Sequence, residues 1–201
     1  MFTKKISLKK NNNLAGFTIS APPESYKLLF IIMNGLQEMT FISEIRLQSK
    51  IAMLSAERLQ TANENLNKDE VWGSIQSILV STGNISKILW PTYKRHAERG
   101  KALRLILKVE NNNPLSERKF RNHFEHYDTR IEEWYDDNLG TAYIDLVMNP
   151  TLIGTSIGKI DRGYNSFNNT LIFRGEILDL NEILHAVNEI NNSCKQYGFN
   201  R

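Results

Sequence analysis

The strongest constraint on the fold of this chain is the long stretch 24–63, which contains no proline and follows Pro22 and Pro23. Apolar residues recur within it at steps of three and four, which is typical of one apolar face of an α-helix. The apolar positions are Leu28, Ile31, Ile32, Gly35, Leu36, Met39, Ile42, Leu47, Ile51, Leu54 and Leu59. The pattern therefore predicts a long helix that begins near Glu24 and runs as far as Asn63.

Three further helices are predicted before residue 140, at about 69–90, 95–110 and 116–138. Trp90-Pro91 ends the second, because a residue that precedes proline is disfavoured in the α conformation. Asn111 to Pro114 separates the third from the fourth, for which Ser116 is the expected N-cap and Gly140 the expected stop. Four helices joined by short loops favour a bundle.

The pattern changes after Gly140. Apolar residues alternate from Ala142 to Met148, and two further strands are predicted at 170–173 and 177–178, on either side of Gly175. Asp161-Arg162-Gly163 is typical of a turn, and 180–197 is again helical. The predicted fold is mainly α, a four- to five-helix bundle with a small β-hairpin or sheet before the C-terminal helix. Its parts form a single domain, 1–201: a polar lead-in 1–23, helices 24–139, a β element 140–179 and a last helix 180–198.

The composition is that of an ordinary soluble globular protein, with 41% hydrophobic and 23% charged residues among 201. Cys194 is the only cysteine, which excludes an intrachain disulfide and is consistent with a reducing compartment. The longest apolar run, Leu28 to Met33, is too short to span a membrane, and the lysines of the N-terminus are not followed by an apolar signal segment. We therefore expect a cytoplasmic protein with no membrane association.

One segment carries residues suited to chemistry: Arg121-Asn122-His123-Phe124-Glu125-His126, the motif segment. A histidine can transfer protons near neutral pH, and an arginine can hold a phosphate. The same predicted helix has an apolar face of Phe120, Phe124, Tyr127, Ile131 and Trp134, of which Trp134 could pack at a dimer interface.

Arg121 and His126 do not face the same side of a regular helix. Five residues rotate by about 500°, which leaves about 140° between the two side chains. A simple solution is a homodimer in which two motif helices meet and each site takes groups from both chains.

The R-x4-H spacing and the polar residue after the arginine resemble the HEPN superfamily of helical nucleotide-binding and ribonuclease domains. The string RNHFEHYDTRIEEW is also similar to uncharacterised bacterial proteins of that kind. The resemblance implies a helical bundle that dimerises through the motif helices and, in active members, cleaves RNA without a metal. His126 would be the base or acid, Arg121 would hold the scissile phosphate, and Asn122 would orient one of these groups.

Charge is unevenly distributed around this segment. Between residues 94 and 130 there are ten Lys or Arg (94, 95, 99, 101, 104, 108, 118, 119, 121, 130) and five acids (98, 110, 117, 125, 128). The difference of +5 exceeds the formal charge of +3 for the whole chain. A basic region is what an RNA site needs, although it also fits a solvated helix face. His123, Glu125, Asp128 and Arg130 are the candidate substrate-binding or orienting groups.

Other interpretations of the motif remain open. Arg121 with Glu125, and Arg130 with Glu133 or Asp128, could be ordinary helix ion pairs, and the motif could hold a non-catalytic nucleotide-binding or dimeric scaffold protein together. A component that needs a partner protein is a third alternative. His123 and His126 lack the H-E-x-x-H pattern of helical zinc sites, so we expect neither a metal ion nor another cofactor.

Overall fold

The computed structural model describes residues 24–117, 122, 125–150 and 160–197, with side chains from residue 35 onward. By internal packing the chain divides into two units, residues 1–35 and 36–201. Of the first unit the structure describes only the beginning of a helix. The predicted lead-in 1–23 lies outside the described residues, and the single-domain organisation stays a prediction.

The described part of the chain is mainly α-helical. Its five α-helices are α1 (Glu24–Glu64), α2 (Lys68–Leu89), α3 (Ala97–Leu107), α4 (Tyr127–Asp137) and α5 (Leu180–Lys195), with 3-10 turns at Lys94–His96 and Pro114–Ser116. The long first helix, the second helix and the last helix are thus confirmed. None of the described helices combines the length and the apolar character that crossing a membrane requires.

A four-stranded sheet precedes the last helix, as predicted in outline. Its strands are β1 (Val147–Met148), β2 (Arg162–Asn165), β3 (Thr170–Phe173) and β4 (Glu176–Asp179), and they lie in sequence order. β1 pairs with β2 in parallel, whereas β2–β3 and β3–β4 are antiparallel hairpins. The side chain of Asp179 accepts a hydrogen bond from the backbone N–H of Asn181, so β4 passes directly into a capped helix.

The predicted turn at Asp161-Arg162-Gly163 is wrong, because Arg162 and Gly163 belong to β2. The alternating stretch before it contributes less strand than expected. Ile144 forms an isolated bridge with Ile160, and only Val147 and Met148 pair as a strand. Pairing with β3 therefore outweighs the local turn composition of this segment.

Two apolar clusters form the core of the second unit. The first joins α1, α2, α3 and α5 through residues such as Ile45, Leu89, Leu103 and Val187. The second lies where the C-terminal part of α1 and the start of α2 cover the sheet, around Tyr164 and Phe173. The sheet thus packs against α1 and α2, two of the four helices that form the first cluster.

The buried face of α1 agrees only in part with the predicted one, since Ile42 and Leu59 are buried as expected. Leu36, Leu47 and Leu54 are exposed, by 65%, 50% and 58% respectively. The core positions include Ser49 and Ala52, which are fully buried. Small residues let helices approach closely, and the pattern of large apolar residues did not reveal them.

Helices α2 and α3 meet at a corner with almost no spare room. We call residues 87–104 the α2–α3 corner. A Cβ atom at Gly100 would lie 2.4 Å from Cδ of Pro91 and 2.6 Å from the carbonyl oxygen of Leu89. Both distances are shorter than a van der Waals contact, so only glycine allows α3 to pack against this turn.

Gly100→Ala should therefore lower the free energy of unfolding by about 1–3 kcal/mol, the usual cost of overpacking. Gly73→Ala is the matched control, because a Cβ at Gly73 in α2 meets nothing within 4 Å. There alanine should stabilise by about 0.5–1 kcal/mol through helix propensity. Urea denaturation of both variants checks this, and equal effects would contradict the close packing at Gly100.

Candidate functional site

The motif segment is only partly described. Arg121 and His123 lie outside the described residues, as do Phe120 and Phe124 of the predicted apolar face. Asn122 and Glu125 have helical backbone conformations, and the backbone N–H of His126 donates to the carbonyl of Asn122 over 3.1 Å. An i, i+4 hydrogen bond of the α-helical type thus links His126 to Asn122.

His126 interrupts what was predicted to be one helix from Ser116 to Asn138. Ser116 closes a short 3-10 turn, Glu117 is extended, and α4 begins only at Tyr127. His126 is its N-cap, with φ −117° and ψ 41°, outside the α region. The 140° separation of Arg121 and His126 was derived for a regular helix and does not apply across this break.

The side chain of His126 is exposed, and so are its neighbours Tyr127 and Asp128. Tyr127 is 57% exposed, so it does not belong to a buried apolar face as predicted. An exposed imidazole at a helix end is accessible to a bound substrate, which general acid–base catalysis requires.

Glu125 connects the motif segment to α2. Its Oε1 atom accepts a hydrogen bond from Nζ of Lys87 over 2.8 Å, in an ion pair whose side chains are partly exposed. A cation is thereby held beside the residue that precedes His126. Lys87 was not among the predicted site residues, since it lies 38 positions away in the sequence.

Lys87 belongs to the α2–α3 corner, where cationic side chains bind the carbonyl end of α2. Arg99 donates to the carbonyl oxygens of Lys87 and Ile88, each over 3.4 Å, and Arg104 donates to that of Leu89. These carbonyls have no intrahelical donors, because the helix ends at Trp90-Pro91. The arginines satisfy them and bring positive charge to the end of the helix that carries Lys87.

Arg130 takes part in a different network. Its Nη1 atom lies 2.6 Å from Oε2 of Glu133. This is one of the ordinary helix ion pairs that the sequence left open as an alternative to a reactive site. Arg174 lies 3.4 Å from the same carboxylate and donates to the backbone carbonyl of Arg130. The hydrogen bond from Arg130 lowers the pKa of Glu133.

Arg174 also binds the sheet. Its Nε atom donates to Oδ1 of the buried Asp161 over 2.8 Å, and Tyr143 donates to the other carboxylate oxygen over 3.2 Å. Burial, followed by the carboxylates of Asp145 and Asp161, raises the pKa of Tyr143, which therefore acts as a donor. Arg174 has a left-handed backbone, φ 46°, in the turn with Gly175, which costs about 1 kcal/mol. The ion pairs that it makes offset this strain.

Trp134 is 2% exposed, so the suggestion that it packs at a dimer interface is wrong. Its indole meets the rings of Tyr135 and Tyr143 edge to face, with centroids 5.3 and 5.0 Å away. The aromatic cluster joins α4 to Tyr143, in the segment before the sheet. The Arg174 network joins α4 to the sheet itself.

Other reactive side chains are poor candidates for a site. Cys194 is fully buried, and desolvation raises the pKa of its thiol to about 12, which disfavours the nucleophilic thiolate. His185 lies on α5 and is 3.6 Å from Glu189 in an exposed i, i+4 pair. Among the described residues, no group of three or more His, Cys, Asp or Glu is placed to hold a metal ion.

Comparison of the chain with protein-family models, with curated proteins and with solved structures finds no match. What the structure brings together is an exposed histidine at the start of α4, a Lys87–Glu125 pair beside it, and the basic α2–α3 corner.

Arg174→Ala should lower the free energy of unfolding by about 3 kcal/mol, because the buried carboxylate of Asp161 loses its cation. Arg58→Ala is the control. The side chains of Arg58 and Glu70 form an ion pair but are 59% and 39% exposed, so the pair should contribute less than about 1 kcal/mol. Thermal and chemical denaturation compare the two. Losses of the same size would show that the Arg174 network contributes no more than a surface pair.

Proposed function

We propose that this protein binds RNA and cleaves it without a metal ion, as a HEPN-like ribonuclease with His126 as the proton-transferring group. The observation that carries the proposal is the position of His126. It is exposed at the start of α4 and directly follows a residue that is paired with Lys87 of the basic corner. A histidine next to cationic groups can act on a phosphodiester that those groups attract.

The reaction is a transesterification within the RNA chain. His126 as base removes the proton of a 2′-hydroxyl, whose oxygen attacks the adjacent phosphorus while the bond to the 5′-oxygen breaks. Water then supplies a proton to that leaving oxygen. In the alternative assignment a protonated His126 supplies it as the acid, and water takes the proton of the 2′-hydroxyl. The products carry a 2′,3′-cyclic phosphate and a 5′-hydroxyl.

The supporting groups have distinct roles. The resemblance to the HEPN superfamily assigns the scissile phosphate and its developing negative charge to Arg121, a role that favours transition-state stabilisation by a fixed cation. Asn122 is one helical turn before His126 and is half-buried, which suits an orienting amide. Lys87 is the additional cation that the structure suggests.

A homodimer through the motif segment and α4 belongs to the same proposal. Tyr127 supports it, since this aromatic ring is 57% exposed beside His126 and aromatic side chains are enriched at interfaces. In this arrangement the HEPN-like helical bundle would be completed by a second copy. Sedimentation of the wild type and of Tyr127→Glu tests it, with a monomeric variant expected. A monomeric wild type would overturn it.

A non-catalytic nucleotide-binding or scaffold protein is the alternative function. The ion pairs of two candidate residues favour it, because Arg130 binds Glu133 and Glu125 binds Lys87. Residues engaged in this way position helices whether or not a reaction takes place.

Cleavage of a mixed RNA pool in the presence of EDTA separates the two functions. The wild type should cut and leave 2′,3′-cyclic ends, and His126→Ala should lower the rate by about 100-fold or more, the usual contribution of general acid–base catalysis. His185→Ala is the matched control, because that histidine is exposed on α5 and should leave cleavage unchanged.

Two results would contradict the proposed ribonuclease function. One is an inert wild type, and the other is equal cleavage by the wild type and His126→Ala with both proteins folded. Either result would favour the scaffold alternative.

A further inference from the structure

The connection between α2 and α3 displays an aromatic ring to solvent. Tyr93 is 69% exposed, one residue before the 3-10 turn Lys94–His96. A single exposed aromatic residue is common on protein surfaces. This one is notable because of the charged residues that surround it.

Cationic and imidazole groups hold Tyr93 from two directions. The guanidinium carbon of Arg95 lies 5.7 Å from the ring centroid, and the His96 ring meets it edge-on at 6.2 Å. Nε of Arg95 also donates to Nε2 of His96 over 3.1 Å. These contacts fix the ring and guanidinium before any ligand arrives, which lowers the entropic cost of binding.

The surrounding charge is strongly positive. Residues 94–108 contain six Lys or Arg (94, 95, 99, 101, 104, 108) and one acid (98), a difference of +5. The whole chain has +3, so the remaining residues together carry −2. Arg99 and Arg104 bind the end of α2, whereas Lys94, Arg95, Lys101 and Lys108 are exposed. These four cations therefore face solvent, and Arg95 is in contact with the ring.

We infer that Tyr93, Lys94 and Arg95 form a binding platform for single-stranded RNA, in which the tyrosine ring stacks on one base and the cations contact the flanking phosphates. An exposed ring among cations is suited to an unpaired strand, whose bases have free faces. A duplex hides those faces, and an acidic protein surface would use the charge but not the ring. The inference rests on the proposed RNA-binding function and names its substrate class.

The platform and the candidate cleavage site are both connected to the last turn of α2. Arg99, three residues after His96, donates to the carbonyl of Lys87, and the Lys87 ammonium binds Glu125. Both regions are thus anchored to the last turn of α2.

Fluorescence anisotropy with a labelled 15-nucleotide oligouridine tests the platform, using the full chain with His126→Ala so that the RNA stays intact. Adding Tyr93→Ala to this background should raise the Kd for the RNA about tenfold, because one stacked base is lost. Adding Tyr93→Phe should leave the Kd unchanged, because the ring remains. Phe167→Ala is the matched control, because Phe167 is 74% exposed in the β2–β3 connection and should not alter Kd. Lys94→Ala should lower the slope of log Kd against log salt by about one ion.

The outcomes distinguish this inference from the proposed function. Unchanged binding by Tyr93→Ala, or equally tight binding of a duplex of the same length, would overturn the platform while leaving RNA binding intact. An effect of Lys94→Ala without one of Tyr93→Ala would indicate a purely electrostatic surface, which an acidic protein could also use. No binding of any RNA by the background protein would overturn the proposed function itself.

Discussion

The carbonyl end of α2 is the point on which the arrangement around the candidate site depends. A helix that stops at a proline leaves its last carbonyls without donors. Here the donors are the guanidinium groups of Arg99 and Arg104, which come from the following helix. That solution requires α3 to lie very close, and Gly100 makes the approach sterically acceptable. The carbonyls at the end of α2 that lack helical donors thus determine where α3 packs. They also place two arginines of the basic region at this corner.

Ion pairs hold the chain on either side of His126. Before it, Glu125 pairs with Lys87 of α2; after it, the backbone of Arg130 and the carboxylate of Glu133 bind Arg174. The described contacts fix the backbone around the histidine while its side chain stays exposed. A rigid frame around an accessible acid–base group is what a catalytic constellation needs, and the same frame would serve a binding protein.

The sequence predicted what depends on local signals. The long proline-free helix, the last helix and the hairpin at Gly175 follow from periodicity and turn chemistry, and the structure confirms them. The sequence did not predict β2, because Asp161 to Gly163 has the composition of a turn. The strand forms by pairing with β3, which local composition does not indicate. The buried face of α1 was predicted only in part for a similar reason, since small buried residues such as Ser49 depend on a neighbouring helix.

The candidate site shows the same division. His126 stands out from the sequence alone, because it is a histidine five positions after Arg121 in the R-x4-H spacing. Its surroundings do not, since Lys87 is 38 positions from Glu125, and Arg174 is 44 positions from Arg130. Partners at such separations are chosen by the packing of whole helices and strands. Neither a spacing rule nor a propensity contains that information.

The buried Cys194 has a use that is independent of function. It is the only thiol in the chain, it lies in the last turns of α5, and it is shielded from solvent. A labelling reagent can therefore reach it only when α5 detaches or the whole unit opens. The rate at which the thiol is modified would therefore measure how often α5 opens. It would report the local stability of α5, which contributes to the first core cluster.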